Sequence, residues 1–76
     1  MNTDDVKERL KEIGPYVLHT TSEVGGKPCH MFTVGSAPGG RDAYRACLYI
    51  PSDTRMEDVD WDMIIHDGKA RYADRD

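Results

Sequence analysis

Residues 16–34 read YVLHTTSEVGGKPCHMFTV, and this stretch decides the fold because it consists of two strand-like segments around a turn signal. Tyr16–Val24 and Lys27–Val34 are rich in β-branched and aromatic residues. Gly25-Gly26 between them is the composition of a two-residue hairpin turn. Pro28 cannot donate a ladder hydrogen bond, so its side of the second strand is expected to be an edge or a bulge.

Antiparallel pairing about this turn fixes the cross-strand partners, which alternate between the two faces of the hairpin. The expected pairs are Leu18 with Thr33 and Thr20 with Met31 on one face, and Val17 with Val34 and His19 with Phe32 on the other. Neither face is clearly polar. The sequence therefore leaves open which face of the hairpin is buried.

A helix is predicted before the hairpin, from Asp4 to Ile13. Asn2 or Thr3 can cap it, and the positive end of the helix dipole stabilises the acids in its first turn. Its apolar residues recur at helical spacing and form one stripe: Val6, Leu10 and Ile13. Gly14-Pro15 supplies the stop signal.

After the glycine-rich loop Gly35–Gly40, the sequence predicts further strands. Ala43–Ile50 alternates well and ends at Pro51, and Thr54–Asp58 reads as one short helical turn capped by Ser52 or Asp53. From Val59 the apolar period is two, and Asp67-Gly68 is a second hairpin turn that leads into Lys69–Ala73. This register pairs Met63 with Tyr72 and Ile65 with Ala70, with Trp61 and Tyr72 as core anchors.

These elements predict an α+β fold of one domain, residues 1–76. One N-terminal helix packs on a roughly five-stranded antiparallel sheet, in the order α-β-β-β-(short helix)-β-β. A chain of this length has no room for a second core.

The net charge of −4 is a local feature of the sequence. The window from residue 53 to residue 67 holds six acids and the single base Arg55, whereas residues 1–52 hold six acids and six bases. The acids of the window are Asp53, Glu57, Asp58, Asp60, Asp62 and Asp67. Such a concentrated negative field attracts a basic partner and repels nucleic acid and anionic membrane.

On the predicted strand, Asp58, Asp60 and Asp62 share one face with a step of about 6.8 Å, close to two nucleotides of axial rise at ~3.4 Å each. We therefore interpret the chain as a small acidic protein that binds and inhibits or regulates a basic, nucleic-acid-binding partner by charge mimicry. By analogy of size and charge, this is the type of inhibitor that phages or mobile elements direct against CRISPR or restriction complexes. Tyr49 is the best candidate for an exposed aromatic contact. The alternative is a structural or accessory domain whose acidic strand serves solubility.

Other chemistries find little support in the sequence. Asp58-x-Asp60-x-Asp62 resembles the start of a calcium loop, but Met63 and Lys69 stand where that loop needs Gly and Glu. Cysteine and histidine lack the spacing of a zinc site, no nucleophile motif surrounds Cys29 or Cys47, and no cofactor motif is present. We expect neither an enzyme nor a metal protein.

Without a secretory signal or an apolar run of membrane-spanning length, a cytoplasmic protein with reduced thiols is predicted.

Overall fold

The computed structural model describes residues 2–38 and 44–74. Its elements, in chain order, are helix α1 (Thr3–Leu10), strands β1 (Tyr16–Val24), β2 (Lys27–Gly35) and β3 (Tyr44–Pro51), a 3₁₀ turn (Met56–Asp58) and helix α2 (Trp61–Asp74). The strands form an antiparallel sheet in the order β1-β2-β3. Both helices pack on the same face of this sheet, here called the inner face.

The predicted five-stranded sheet is wrong. The described residues form three strands, and the segment expected to be the last hairpin is the helix α2 instead. The N-terminal helix and the first three strands were predicted in the right order, so the error in the type of element is confined to the chain after residue 58.

The predicted first hairpin is confirmed to the residue. Each of the expected pairs is observed, for example Leu18 with Thr33 and His19 with Phe32. Gly25 and Gly26 both have positive φ, 59° and 80°, which suits the type of turn whose twist matches that of the flanking strands. The structure also decides which face is buried. Phe32 and Val34 point into the core, so Val17 and His19 lie on the inner face with them.

Helix α1 begins where the sequence indicated and ends earlier. The side-chain oxygen of Asn2 accepts hydrogen bonds from the backbone N–H groups of Asp4 and Asp5 at 3.1 and 3.2 Å. Regular helix stops at Leu10, and a turn carries the chain to Ile13, whose N–H donates to the Leu10 carbonyl at 2.9 Å. The predicted apolar stripe is buried on the inner face of the sheet.

Strand β3 differs from the predicted strand at its first residues. Ala43 lies outside the described residues, and a bulge follows, because Gly35 pairs with Tyr44 while Val34 pairs with Ala46. The bulge turns Tyr44 to the face opposite Ala46, whereas strict alternation had placed both on one side. Arg45, inside the bulge, holds its guanidinium 5.0 Å from the centre of the Tyr72 ring on α2.

Helix α2 forms because residues 61–72 also carry a helical period, which the period-two interpretation overlooked. The residues that face the core follow the spacing i, i+3, i+4, i+7, i+11: Trp61, Ile64, Ile65, Gly68 and Tyr72. Met63, predicted to share a strand face with Trp61, is 62% exposed. Trp61 and Tyr72 are partly buried at the edge of the core and are not cross-strand anchors.

Trp61 also connects the two helices. The Arg9 guanidinium of α1 lies 5.0 Å from the centre of the indole ring, a cation–π geometry that contributes about 0.5–1 kcal/mol at an exposed site. Trp61 therefore contacts the core on one side and α1 on the other.

Gly68 is a packing residue and not the predicted turn residue. It is buried in the middle of α2, against the side chain of Ile13. A Cβ added here would overlap Ile13 Cδ1 and lie 3.1 Å from Ile13 Cγ1. The absence of a side chain at Gly68 therefore lets α2 pack closely against Ile13, in the turn that follows α1.

We predict that Gly68→Ala destabilises the protein although alanine is the better helix former. Alanine gains about 1 kcal/mol of helix propensity, and the shift that its Cβ forces on the buried Ile13 side chain costs about 1–3 kcal/mol, so the net effect is a loss of up to about 2 kcal/mol. Chemical denaturation monitored by circular dichroism measures it. Ala70→Gly, at an exposed position of the same helix, gives the propensity effect alone. A Gly68→Ala variant more stable than wild type would contradict the close contact.

Candidate functional site

The first candidate surface is the acidic connector, residues 53–62, which links β3 to α2. Three backbone hydrogen bonds shape it: Thr54 N–H donates to the Pro51 carbonyl at 3.1 Å, Asp58 N–H to the Arg55 carbonyl at 3.0 Å, and Val59 N–H to the Met56 carbonyl at 3.3 Å. Met56 packs against the core and fixes the 3₁₀ turn. The predicted helical turn is therefore present but shorter, and Arg55, with no side-chain capping bond, stands at its N-cap where Ser52 or Asp53 was expected.

All six acids of the window are exposed, but they do not form the predicted row on a strand. Asp58 ends the 3₁₀ turn, Asp60 precedes α2, and Asp62 lies in its first turn. The expected step of one carboxylate per two strand residues is therefore wrong. What the structure retains is a concentration of exposed carboxylates around the connector and the start of α2.

Three of the six acids have partners within the chain. The Asp60 carboxylate accepts the Met63 N–H at 3.1 Å and so caps α2. Glu57 is ion-paired with Arg55, and Asp67 with Arg71 at 3.1 Å on the surface of α2.

The other three acids are less constrained. Asp53, Asp58 and Asp62 make no side-chain hydrogen bond or ion pair within residues 2–38 and 44–74. Asp62 nevertheless shares a shallow hollow with Glu12, Arg9 and Lys69, so the two acids of this hollow lie beside two bases. Asp53 and Asp58 are therefore the carboxylates of the connector that are most available to an external partner.

The second candidate surface is the face of the sheet that no helix covers, here called the open face. Tyr49 lies on it, 53% exposed, on the opposite side of the sheet from α2. The open face also carries Tyr16, Leu18, Val24, Met31, Tyr44 and Cys47, interspersed with Thr20 and Thr33. The structure thus places Tyr49 among apolar and hydroxyl side chains and not among the acids it was predicted to accompany.

The neighbouring Cys47 side chain affects the phenol of Tyr49. It raises the pKa of Tyr49 above its ordinary value, chiefly through a hydrogen bond between the two side chains. Both cysteines are free, and Cys29 is buried. They lie on neighbouring strands, but Cys29 pairs with Pro51, four residues beyond Cys47. An offset of about 13 Å at ~3.3 Å per residue exceeds the reach of a disulfide.

A contact between two histidines on the inner face was not predicted. His19 Nε2 and His30 Nδ1 lie 2.8 Å apart, and the His19 ring also packs on Phe32 with ring centres 4.9 Å apart. One ring must donate and the other accept, so the contact requires at least one neutral imidazole. Within the described part of the chain, no three metal-ligating side chains converge, so this pair lacks a third protein ligand.

Burial lowers the pKa of His19, and the neighbouring His30 and Lys7 lower it further. The unfolded chain therefore takes up a proton at His19 at a higher pH than the folded protein does. This contribution to stability is complete above the ordinary pKa of 6.5 and is lost as the pH falls from there towards the lowered folded-state pKa.

We accordingly predict that His19→Gln weakens the pH dependence of stability below pH 6.5. Urea denaturation at pH 7.5 and pH 5 gives the free energy of unfolding for wild type and variant. His66→Gln, at an exposed position of α2, is the matched control and should follow wild type. If His19→Gln also follows wild type, the histidine contact does not contribute to acid sensitivity.

A separate prediction concerns the cap of α2. Asp60→Ala should destabilise the protein by about 1 kcal/mol, because the Met63 N–H loses its acceptor. Asp58→Ala removes the same charge without touching a cap and should leave the free energy of unfolding nearly unchanged. Thermal denaturation of the two variants compares them directly, and equal losses would argue against the capping role.

The described helices do not combine the length and apolar character needed to cross a bilayer. Compared with protein-family models, with curated proteins and with solved structures, the chain matches none of them. The activity of this protein must therefore be inferred from its own residues and their geometry.

Proposed function

We propose that this protein binds a basic protein surface through its acidic connector and thereby inhibits or regulates that partner. The observation that supports the proposal most directly is the exposure of all six acids of residues 53–67. Arg55 is the single Lys or Arg within this window, and the next bases along the chain are Lys69 and Arg71 on α2. Charge of one sign concentrated in this way speeds encounter with a surface of the opposite sign.

Asp53 and Asp58 are the residues expected to contribute most. Both carboxylates are exposed, and neither is engaged by a side chain or backbone donor in the described residues. A partner's arginine can therefore bind them without displacing an existing bond. Asp60 contributes less, because its carboxylate is already accepting the Met63 N–H.

The proposed partner is of the nucleic-acid-binding type. Such proteins carry the extended basic surfaces that a cluster of carboxylates can occupy in place of phosphates. This protein and nucleic acid then compete for the same surface of the partner. The binding weakens with added salt, because the Debye length is ~10 Å at 0.1 M and becomes shorter at higher ionic strength. This mimicry requires only concentrated charge and not the regular strand spacing that the structure has excluded.

A second candidate function has an observation in its favour. Asp60 caps α2, Asp62 lies at its N-terminus, and Asp67 pairs with Arg71, so these three acids stabilise the helix that carries them. A structural or accessory domain would need no more than this. Asp53 and Asp58 separate the two functions, because neither has such a local role.

The test uses Asp53→Asn/Asp58→Asn, which removes two charges and preserves side-chain shape. We expect the wild-type protein to capture a basic protein from cells that express it, and the variant to bind that purified partner about tenfold more weakly or worse at 0.1 M salt. Added duplex DNA should displace the wild-type protein.

Glu8→Gln/Glu23→Gln is the matched control, since it removes two exposed charges outside the connector. It should bind the partner nearly as well as wild type. Equal loss in both variants would show that only total charge matters, and unchanged binding by the connector variant would leave the accessory-domain function.

A further inference from the structure

In the described strands, the open face of the sheet combines large apolar exposure with very little charge. Leu18 is 55% exposed, Tyr49 53% and Tyr16 43%. Among the described strand residues, Lys27 at the hairpin end is the single ionised side chain whose register places it on this face. Exposed apolar patches of this kind mark interaction surfaces.

The strand pattern itself calls for a cover on both sides of the sheet. A strand with one solvated face alternates apolar and polar residues, but β1 and β2 place Leu18 and Met31 on the open face as well as Val17 and Phe32 on the inner face. The helices α1 and α2 bury only the inner face. A further layer on the open face would complete the packing.

We propose that this layer is a second copy of the chain, with the open faces of two molecules packed against each other as a symmetric sheet-on-sheet dimer. Charge favours this occupant. Each copy carries a net charge of −4 that derives from the connector and α2, outside the open face. Two copies can therefore join these faces without placing strand carboxylates opposite one another, whereas a basic partner would find no carboxylate among the described strand residues of this face.

The available area suits a dimer of modest affinity. Three strands spaced ~4.8 Å apart, each about eight residues long, present roughly 370 Å² of projected face per copy. Because protruding side chains make the accessible area larger than the projected area, about 1,000–1,200 Å² would be buried in total between two copies. This is at the low end for a specific interface. Stacked sheets lie ~10 Å apart with their strands about 30° from parallel, so the row Thr20–Met31–Tyr49 would lie near the centre.

Sedimentation equilibrium from 5 to 500 µM tests this dimer. Wild type is expected to dimerise with a Kd on the order of 10 µM. Leu18→Glu and Thr20→Glu each place a carboxylate on the open face of the exposed edge strand, and each should weaken dimerisation at least about 100-fold. Met63→Glu adds the same charge at an exposed apolar residue of α2 and should dimerise like wild type.

A second measurement does not depend on variants. On dilution of wild type, the methyl NMR signals of Leu18 and Met31 should shift while that of Met63 does not. A wild type that stays monomeric at 500 µM overturns the proposal and leaves a different macromolecule to cover this face. Dimerisation that persists in both open-face variants, or methyl signals that shift at Met63 instead, overturns it too and points to an edge or helix interface.

Because Asp53 and Asp58 lie outside the open face, Asp53→Asn/Asp58→Asn should dimerise normally, which separates this proposal from the proposed function.

Discussion

The burial of Phe32 and Val34 on the inner face of the central strand is the interaction on which the rest of the structure depends. Both side chains are fully buried, and they form one cluster with the apolar stripe of α1 and with residues of β3. The partly buried side chains of α2 pack on this same cluster. A chain of 76 residues has few such groups, so each large core side chain carries a large share of a marginal stability.

The parts of the fold that could be predicted from sequence are those that local interactions determine. The Gly25-Gly26 turn fixes the register of β1 and β2, since the two glycines adopt the backbone conformation that a tight hairpin needs. Asn2 and the apolar stripe of α1 are equally local signals. None of these depends on a residue distant in sequence.

Helix α2 could not be predicted in the same way, because residues 59–66 carry an alternating and a helical period together. Asp67-Gly68 then favoured the hairpin. The observation that decides between them is the contact of Gly68 with Ile13, which the sequence does not reveal since the two residues are far apart along the chain. A buried glycine inside a helix and a glycine in a turn look identical in the sequence.

The candidate site was predictable in its charge and not in its geometry. The concentration of acids is visible in the sequence, but the role of Asp60 as a cap follows only once α2 is known to be a helix. The contact of His19 with His30 was within reach of the sequence, because the predicted register already placed the two histidines near one another on one face. The sequence did not show that this face is buried, so the effect of burial on the two histidines could not be predicted.

The position of Trp61 gives the protein an optical property. It is the single tryptophan of the chain, and it lies at the junction of α1, α2 and the core. Its fluorescence thus reports the docking of the two helices, while the far-ultraviolet circular dichroism reports the backbone structure of helices and strands together. A difference between the two signals during refolding would reveal whether secondary structure forms before the helices dock on the sheet.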